Sequence, residues 1–162
     1  MLETLSVVVP TLNSARDIGR FMDALGGVGQ IVVADGGSTD ETREIAAQAG
    51  AKVIASDPGR GVQLRNGAAQ ANGDWLLFLH ADTYLGDGWR SVVAKHSECE
   101  PHRAGYFRLR LRSDDPRARL IERGVALRCK ALGLPFGDQG LLVSKALYEQ
   151  VGGYAAIALM ED

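Results

Sequence analysis

A chain of 162 residues, 46% hydrophobic and 23% charged, has the composition of a soluble globular protein and is long enough to bury roughly 70% of its unfolded surface in one domain. That balance excludes disordered, collagen-like and disulfide-framework chains, and the two cysteines, Cys99 and Cys129, stand outside any metal-binding or redox spacing. The formal net charge of −2 conceals an asymmetry, because residues 101–130 hold nine Arg or Lys against three acids.

That basic stretch reads either as an ordinary solvated surface or as a surface for a phosphorylated ligand or anionic lipid. Nucleic acid is not expected there, since aromatic residues are sparse and no binding motif occurs. No apolar run approaches the ~20 residues that span a bilayer, and the N-terminus enters a strand pattern without a signal peptide. A cytoplasmic protein is therefore expected, with peripheral contact to the inner membrane face through residues 101–130 as an extension of the basic reading.

Leu5 to Val9 is a β-branched run closed by Pro10 and reads as the first strand. From Ser14 the spacing of Ile18, Phe21, Met22 and Leu25 predicts a helix ended by Gly26-Gly27. Ile31 to Ala34 is a second strand running into Asp35, and Gly36-Gly37 follows. Ser38-Thr39-Asp40-Glu41 matches the S-x-x-E capping box, opening a helix that stops at Gly50. Lys52 to Ala55 is a short third strand, Val62 to Ala71 an Ala-rich helix, Trp75 to Leu79 a fully apolar fourth strand, and Trp89 to Ser97 a further helix.

The second half changes pattern. Tyr106 to Arg112 alternates strictly, which predicts a strand with one wet face. Pro116 suits a helix N1 position, and Ile121, Val125 and Cys129 or Leu132 form the expected buried stripe of an Arg-rich helix. A Gly-rich loop at 133–140, a strand at 141–143, a helix at 145–151 and an apolar tail ending Met160-Glu161-Asp162 complete the chain. Strands alternating with helices over such short connections predict an α/β fold: a doubly wound, mostly parallel sheet in three α/β/α layers, forming a single domain over residues 1–162.

The acids fall where such a fold collects ligands. Asp35 and the His80-Ala81-Asp82 triplet stand at the carboxyl ends of apolar strands, where a parallel sheet binds nucleotides. Each Asp alone could equally cap a following turn. No G-x-G-x-x-G, no P-loop and no G-x-S-x-G occurs, so dinucleotide oxidoreductases, P-loop NTPases and serine hydrolases lose weight. Acids with glycines instead suit a divalent cation, Mn2+ or Mg2+, on a diphosphate, with Asp82 the best-placed ligand.

The segments Val7 to Asn13, Val33 to Asp40, Gly73 to Asp82 and Met160-Glu161-Asp162 resemble family-2 glycosyltransferases of the GT-A fold. The Leu-His-Ala-Asp-Thr stretch and the Gly137-Asp138-Gln139-Gly140 loop further resemble a bacterial subgroup associated with radical-SAM and selenium-related gene clusters. The resemblance implies an inverting transfer of a sugar from a nucleotide-sugar donor, a UDP-sugar by preference, to an acceptor hydroxyl, the acceptor being lipid-linked or phosphorylated if the basic stretch serves it. It implies that Pro10, Thr11, Asn13, Asp35, Gly36, His80 and Ala81 surround the nucleotide, with Asp35 accepting from the base. Asp82 is implied as the metal ligand, Arg60 or Arg65 as the cation facing the leaving diphosphate, and Asp162 as the general base. Asp138, Gln139 and Glu161 are implied on the acceptor side, which starts at about residue 100.

Two departures stand out. His80 occupies the place of the first acid of the family's Asp-x-Asp pair, and Asp162 is the last residue where family members continue. A chain cut short at its acceptor side is therefore expected to keep donor binding and to turn over weakly. A nucleotidyltransferase would want a Gly-rich basic loop after the first strand, where Thr11-Leu12-Asn13-Ser14 stands. A phospho-receiver would want acids there, and a non-catalytic nucleotide-binding fragment is the remaining alternative.

Overall fold

The computed structural model describes residues 2–133, 135 and 137–155. After a 3-10 turn at Leu2–Thr4 come β1 (Leu5–Thr11), α1 (Ala15–Ala24), β2 (Gln30–Asp35), α2 (Thr42–Gln48), β3 (Lys52–Ala55), α3 (Arg60–Ala69), β4 (Trp75–Phe78) and α4 (Trp89–Cys99). They are followed by α5 (Pro116–Leu132), a 3-10 turn at Gly137–Gln139, β5 (Leu141–Ser144) and α6 (Lys145–Gln150). One sheet has the order β3-β2-β1-β4-β5, with β5 alone antiparallel to its neighbour β4.

Side-chain alternation along unbroken apolar strands explains the three layers. Leu5, Val7 and Val9 of β1 and Trp75 and Leu77 of β4 pack under Ile18, Phe21 and Met22 of α1 and Trp89 and Val93 of α4. Val8, Leu76 and Phe78 point the other way, into a second core with Leu64 and Ala68 of α3, Val143 of β5 and Leu147 and Tyr148 of α6. Contact between α3 and β1 is close: a Cβ on Gly67 would stand 2.4 Å from Val8 Cγ1, so only glycine lets the helix sit on the strand. Arg90 ties α4 to α1 by donating to the Ala24 and Gly26 carbonyls at 3.0 and 2.6 Å, which otherwise end that helix unmet.

Pro10 does not end the first strand, which runs on to Thr11. The carbonyl of Val8 accepts from the Leu79 amide, so the even-numbered residues of β1 turn their backbone polar groups toward β4. Pro10 is the next of these, one step past the last paired position Val8↔Phe78. Its missing N–H therefore costs no ladder bond, because β4 has already ended.

The capping box at Ser38 does not form. Helix α2 starts only at Thr42, and the Ser38 hydroxyl is turned to the Asp35 carboxylate. A hydroxyl bound to a buried carboxylate makes a charge-assisted bond, stronger than one to a helix amide. Asp40 takes over instead, accepting from Thr42 N at 3.1 Å and, across the loops, from Ala15 N at the start of α1 at 3.1 Å.

Residues 106–112 are extended but are not a strand. Gly105 forms a single antiparallel bridge to Leu142, and Phe107 N then donates to the Gln139 carbonyl at 2.9 Å. The partner strand fails because β5 begins only at Leu141, after Gly140 turns the chain with φ 66°. The predicted alternation of exposure persists, with Phe107, Leu109 and Leu111 half-buried and Arg108, Arg110 and Arg112 exposed. Helix α5 does begin at Pro116 behind the N-cap Asp115, and of the expected stripe Cys129 is buried and Val125 half-buried, but Ala118 and Glu122 take the places expected for Ile121 and Leu132. Ile121 and Leu132 are exposed because Glu122 is drawn inward, accepting from Leu111 N at 2.9 Å and pairing with Arg110 and Arg119 at 3.1 and 2.6 Å.

Candidate functional site

The chain leaves β1 toward β2 and β3, then returns through α3 to place β4 on the other side of β1. That reversal opens a crevice beyond the carboxyl ends of β1 and β4, the position at which open α/β sheets bind ligands. A cavity of about 440 Å³ fills it, walled by Pro10 to Ser14 after β1, Gly59, Arg60 and Gln63 at the start of α3, and His80, Ala81 and Asp82 after β4. Asp17 of α1 closes the rim.

The floor is stiffened by side chains that sequence reasoning did not single out. Gln63 is 5% exposed, and its amide donates to the carbonyls of Thr11 and Ala34, each at 2.8 Å, tying the ends of β1 and β2. A Cβ on Gly36 would meet that amide at 3.0 Å, so this glycine makes room for the clamp. The available signal was one long polar residue on the inner face of an Ala- and Gly-rich helix. Asn13 adopts φ 52°, a left-handed conformation that Asn tolerates, and its side chain accepts from Thr39 N at 2.9 Å while its amide donates to Ser38 Oγ at 2.8 Å.

Asp35 is 2% exposed and its carboxylate accepts from Thr11 Oγ1 (2.9 Å), Ser38 N (2.9 Å), Gly37 N (3.2 Å) and Ser38 Oγ (2.5 Å). Burial pushes this carboxyl up, but the donors from Ser38, Thr11 and Gly37 together hold it below the usual carboxylate value. Arg43 stands 3.9 Å away as a half-exposed counter-charge. In this arrangement the carboxylate's roughly four acceptor positions are met by its own loop and by Thr11 of β1, so Asp35 fixes the shape of the crevice edge.

At the end of β4, Asp82 is exposed and bonded to none of the other described residues, while His80 is half-buried with its carbonyl accepting from Thr83 N at 3.1 Å. No cluster of three or more His, Cys, Asp or Glu occurs among the described residues. The single exposed carboxylate of Asp82, on the same crevice wall as His80, fits Mn2+ or Mg2+, which take one or two carboxylates and complete their shells with phosphate oxygens and water. Arg60 lines the crevice, whereas Arg65 is exposed on α3 near Tyr148 and does not.

A second cavity, of about 580 Å³, adjoins the first and shares His80 and Asp82 with it. Its other walls are Thr83 to Asp87, Trp89, the extended residues 107–112 and Gln139. Gln139 is buried and its amide donates to the Phe107 carbonyl at 3.1 Å, holding this wall in place. Tyr84 lies between two guanidinium groups, 3.3 Å from Arg20 and 4.0 Å from Arg112. Asp138 belongs to the 3-10 turn at 137–139, and Glu161 and Asp162 lie outside the described residues.

A doubly wound sheet with a crevice at its switch point, and on the rim an exposed carboxylate bonded to no other described residue, is an open α/β architecture of the kind that binds ligands beyond its strand ends. The family model for glycosyl transferase family 2 matches residues 6–132, and the chain belongs to that family. It is 38% identical over 93 residues to the glucosyl-3-phosphoglycerate synthase of Mycolicibacterium smegmatis, covering 49% of this chain and 31% of that protein. It is 36% identical over 121 residues to a PGL/p-HBAD biosynthesis glycosyltransferase of Mycobacterium tuberculosis, covering 67% of this chain and 47% of the relative. The chain thus spans less than half the length of these relatives.

Among solved structures, the fold is similar to glucosyl-3-phosphoglycerate synthase from M. tuberculosis in complex with Mn2+, UDP and glucosyl-3-phosphoglycerate, with TM-score 0.65 and 22% identity over 88% of this chain and 57% of that one. The same enzyme with Mn2+, UDP-glucose and glycerol 3-phosphate gives TM-score 0.64 and 23% identity. The chain has the GT-A architecture, a Rossmann-like sheet of mostly parallel strands between helices.

Proposed function

We propose that this chain carries the donor half, and the start of the acceptor half, of a glycosyltransferase that moves a sugar from a nucleoside-diphosphate sugar to an acceptor hydroxyl. The observation that carries the reading is the pair of chambers meeting at His80 and Asp82. Sugar transfer needs donor and acceptor on opposite sides of one reacting carbon, held in a near-attack arrangement.

The smaller chamber takes the nucleoside diphosphate. Pro10, Thr11, Asn13 and Ala81 shape it around the base and ribose, with Asp35, Gly36 and Gln63 fixing the edge that the base meets. Asp82, with His80 on the same wall, would hold Mn2+ or Mg2+, which would supply charge neutralisation to the diphosphate. Arg60 adds a cation on the leaving-group side, whereas Arg65 does not line this chamber. UDP is the preferred nucleotide, as in the UDP complexes of the structural relatives.

The larger chamber takes the acceptor. Arg108, Arg110 and Arg112 alternate along its wall, which favours an acceptor bearing a phosphate or carboxylate. Gln139 borders it from the 137–139 turn, and Asp138 and Glu161 are assigned to the acceptor side on the family resemblance. Asp162 is the proposed general base: it takes the proton of the acceptor hydroxyl while that oxygen attacks the anomeric carbon from the face opposite the departing diphosphate, inverting the configuration. In this reading residues 1–162 form one domain.

Calorimetric titration of the chain with UDP, GDP, dTDP and CDP, with Mn2+ and then with EDTA, tests the donor site. The reading expects one nucleotide to bind in a metal-dependent way and Asp82→Ala to remove that binding without lowering the melting temperature. Binding that ignores both EDTA and Asp82→Ala would overturn it.

A further inference from the structure

Helix α5 presents to solvent a face that is apolar where an outward helix face is ordinarily polar. Leu120, Gly124, Leu127 and Ala131 follow one another at helical spacing and are all exposed, Leu120 at 71% and Leu127 at 68%. Arg123 and Lys130 border this stripe on one side and Arg117 on the other, by the same periodicity, while Arg128, next on that side, is half-buried with its guanidinium turned to Gln139. The helix's one acid, Glu122, is turned inward with its side chain 3% exposed and is paired there with Arg110 and Arg119. Outward, α5 is therefore an apolar ridge flanked by the exposed cations Arg117, Arg123 and Lys130, with no exposed acid on the helix.

We propose that α5 lies flat on an anionic lipid surface, with Leu120 and Leu127 entering the boundary between headgroups and acyl chains and Arg117, Arg123 and Lys130 on lipid phosphates. Charge complementarity selects this occupant. A second copy docking the same face would bring the two basic borders together, which like-charge repulsion opposes. A nucleic acid would leave the leucine ridge against a charged backbone, and the face offers no aromatic ring for stacking. Apolar ridges flanked by Lys and Arg are how helices bind in the plane of a membrane interface. The helix does not span: no helix among the described residues is long and apolar enough to cross a membrane.

The consequence for the site is local. The inner face of α5 packs over the same extended residues that wall the larger chamber, with Tyr106, Arg108 and Leu109 meeting Glu122, Val125 and Cys129 around a further cavity of about 340 Å³. Lipid contact by α5 would therefore hold that chamber next to the headgroup layer.

Cosedimentation of the full chain with vesicles tests this without reference to nucleotide binding. Vesicles of phosphatidylcholine alone are compared with vesicles containing about one third phosphatidylglycerol, at low and at raised salt. Binding is expected on the anionic vesicles only, weakening with salt. Leu120→Ser with Leu127→Ser should weaken it by about tenfold or more, and Arg117→Gln, Arg123→Gln and Lys130→Gln together on the order of a hundredfold. Both variants should melt where the parent does, since all five side chains are exposed. Absence of vesicle binding, equal binding to neutral vesicles, or anionic binding untouched by the leucine changes would overturn the proposal. So would concentration-dependent self-association that disappears with the leucine pair, which would make a second copy the occupant.

Discussion

In residues 5–99 the central strands are covered on both faces, and the ends of β1 and β2 are tied together by Gln63, Asp35 and Ser38. From Gly105 to Leu132 the chain instead runs as an extended segment with one ladder bridge, under a helix whose largest apolar side chains face outward. The first region is stabilised by core packing, the second by a few directed polar contacts to Glu122 and Gln139. The lesson is a division of labour. In the proposed function, a donor crevice needs backbone fixed to a fraction of an ångström, whereas an acceptor wall can be hung from two buried polar side chains.

Breaking the first region should show the largest effect. Phe21→Ala, at a fully buried position against β1 and α4, should destabilise the chain by about 3–5 kcal/mol. Leu127→Ala on the outer face of α5 should change thermal or denaturant unfolding by less than about 0.5 kcal/mol. A smaller but more specific effect is expected at the clamp. Gln63→Ala removes the donors to the Thr11 and Ala34 carbonyls and should cost about 1–3 kcal/mol, with weaker nucleotide binding in the same titration.

Acid sharpens the contrast next. Asp35 has its folded value held below its unfolded one, so its contribution is fully present above the unfolded value, about 3.9, and is lost as pH falls through the lower folded value. Denaturant midpoints should therefore drop below about pH 4, and Asp35→Asn should flatten that limb. The smallest global effect belongs to the second region. Glu122→Gln keeps the shape but removes the charge that faces Arg110 and Arg119, so amide exchange at Leu111 should quicken while the exchange of β1 and β4 stays unchanged.

Legibility in the sequence followed the same division. Strands buried on both faces read as continuous apolar runs, so Val7 to Val9, Val32 to Ala34 and Trp75 to Phe78 and the acids at their ends were visible directly. Local patterns misled wherever a buried carboxylate competed for a polar partner: Ser38 turned from its helix to Asp35, and Glu122 rotated α5 away from the stripe of Ile121 and Leu132. The alternation of 106–112 correctly gave the exposed and half-buried sides of the segment. It could not reveal that the partner strand stops at Gly140, because the partner of a strand is a tertiary fact. Gln63 was missed for a related reason, since a polar residue on a helix declares its role only when two strand ends lie beneath it.

The claim on which the rest depends is that a divalent cation and a nucleoside diphosphate meet at the carboxyl ends of β1 and β4. Backbone amide NMR of the chain with UDP and trace Mn2+ measures this directly, since the paramagnetic ion broadens only nearby signals. Broadening should centre on His80 to Asp82, reach Leu12 and Asn13, and be lost in Asp82→Ala. Broadening centred instead on surface acids such as Glu98 or Asp114, with the crevice signals untouched, would contradict it.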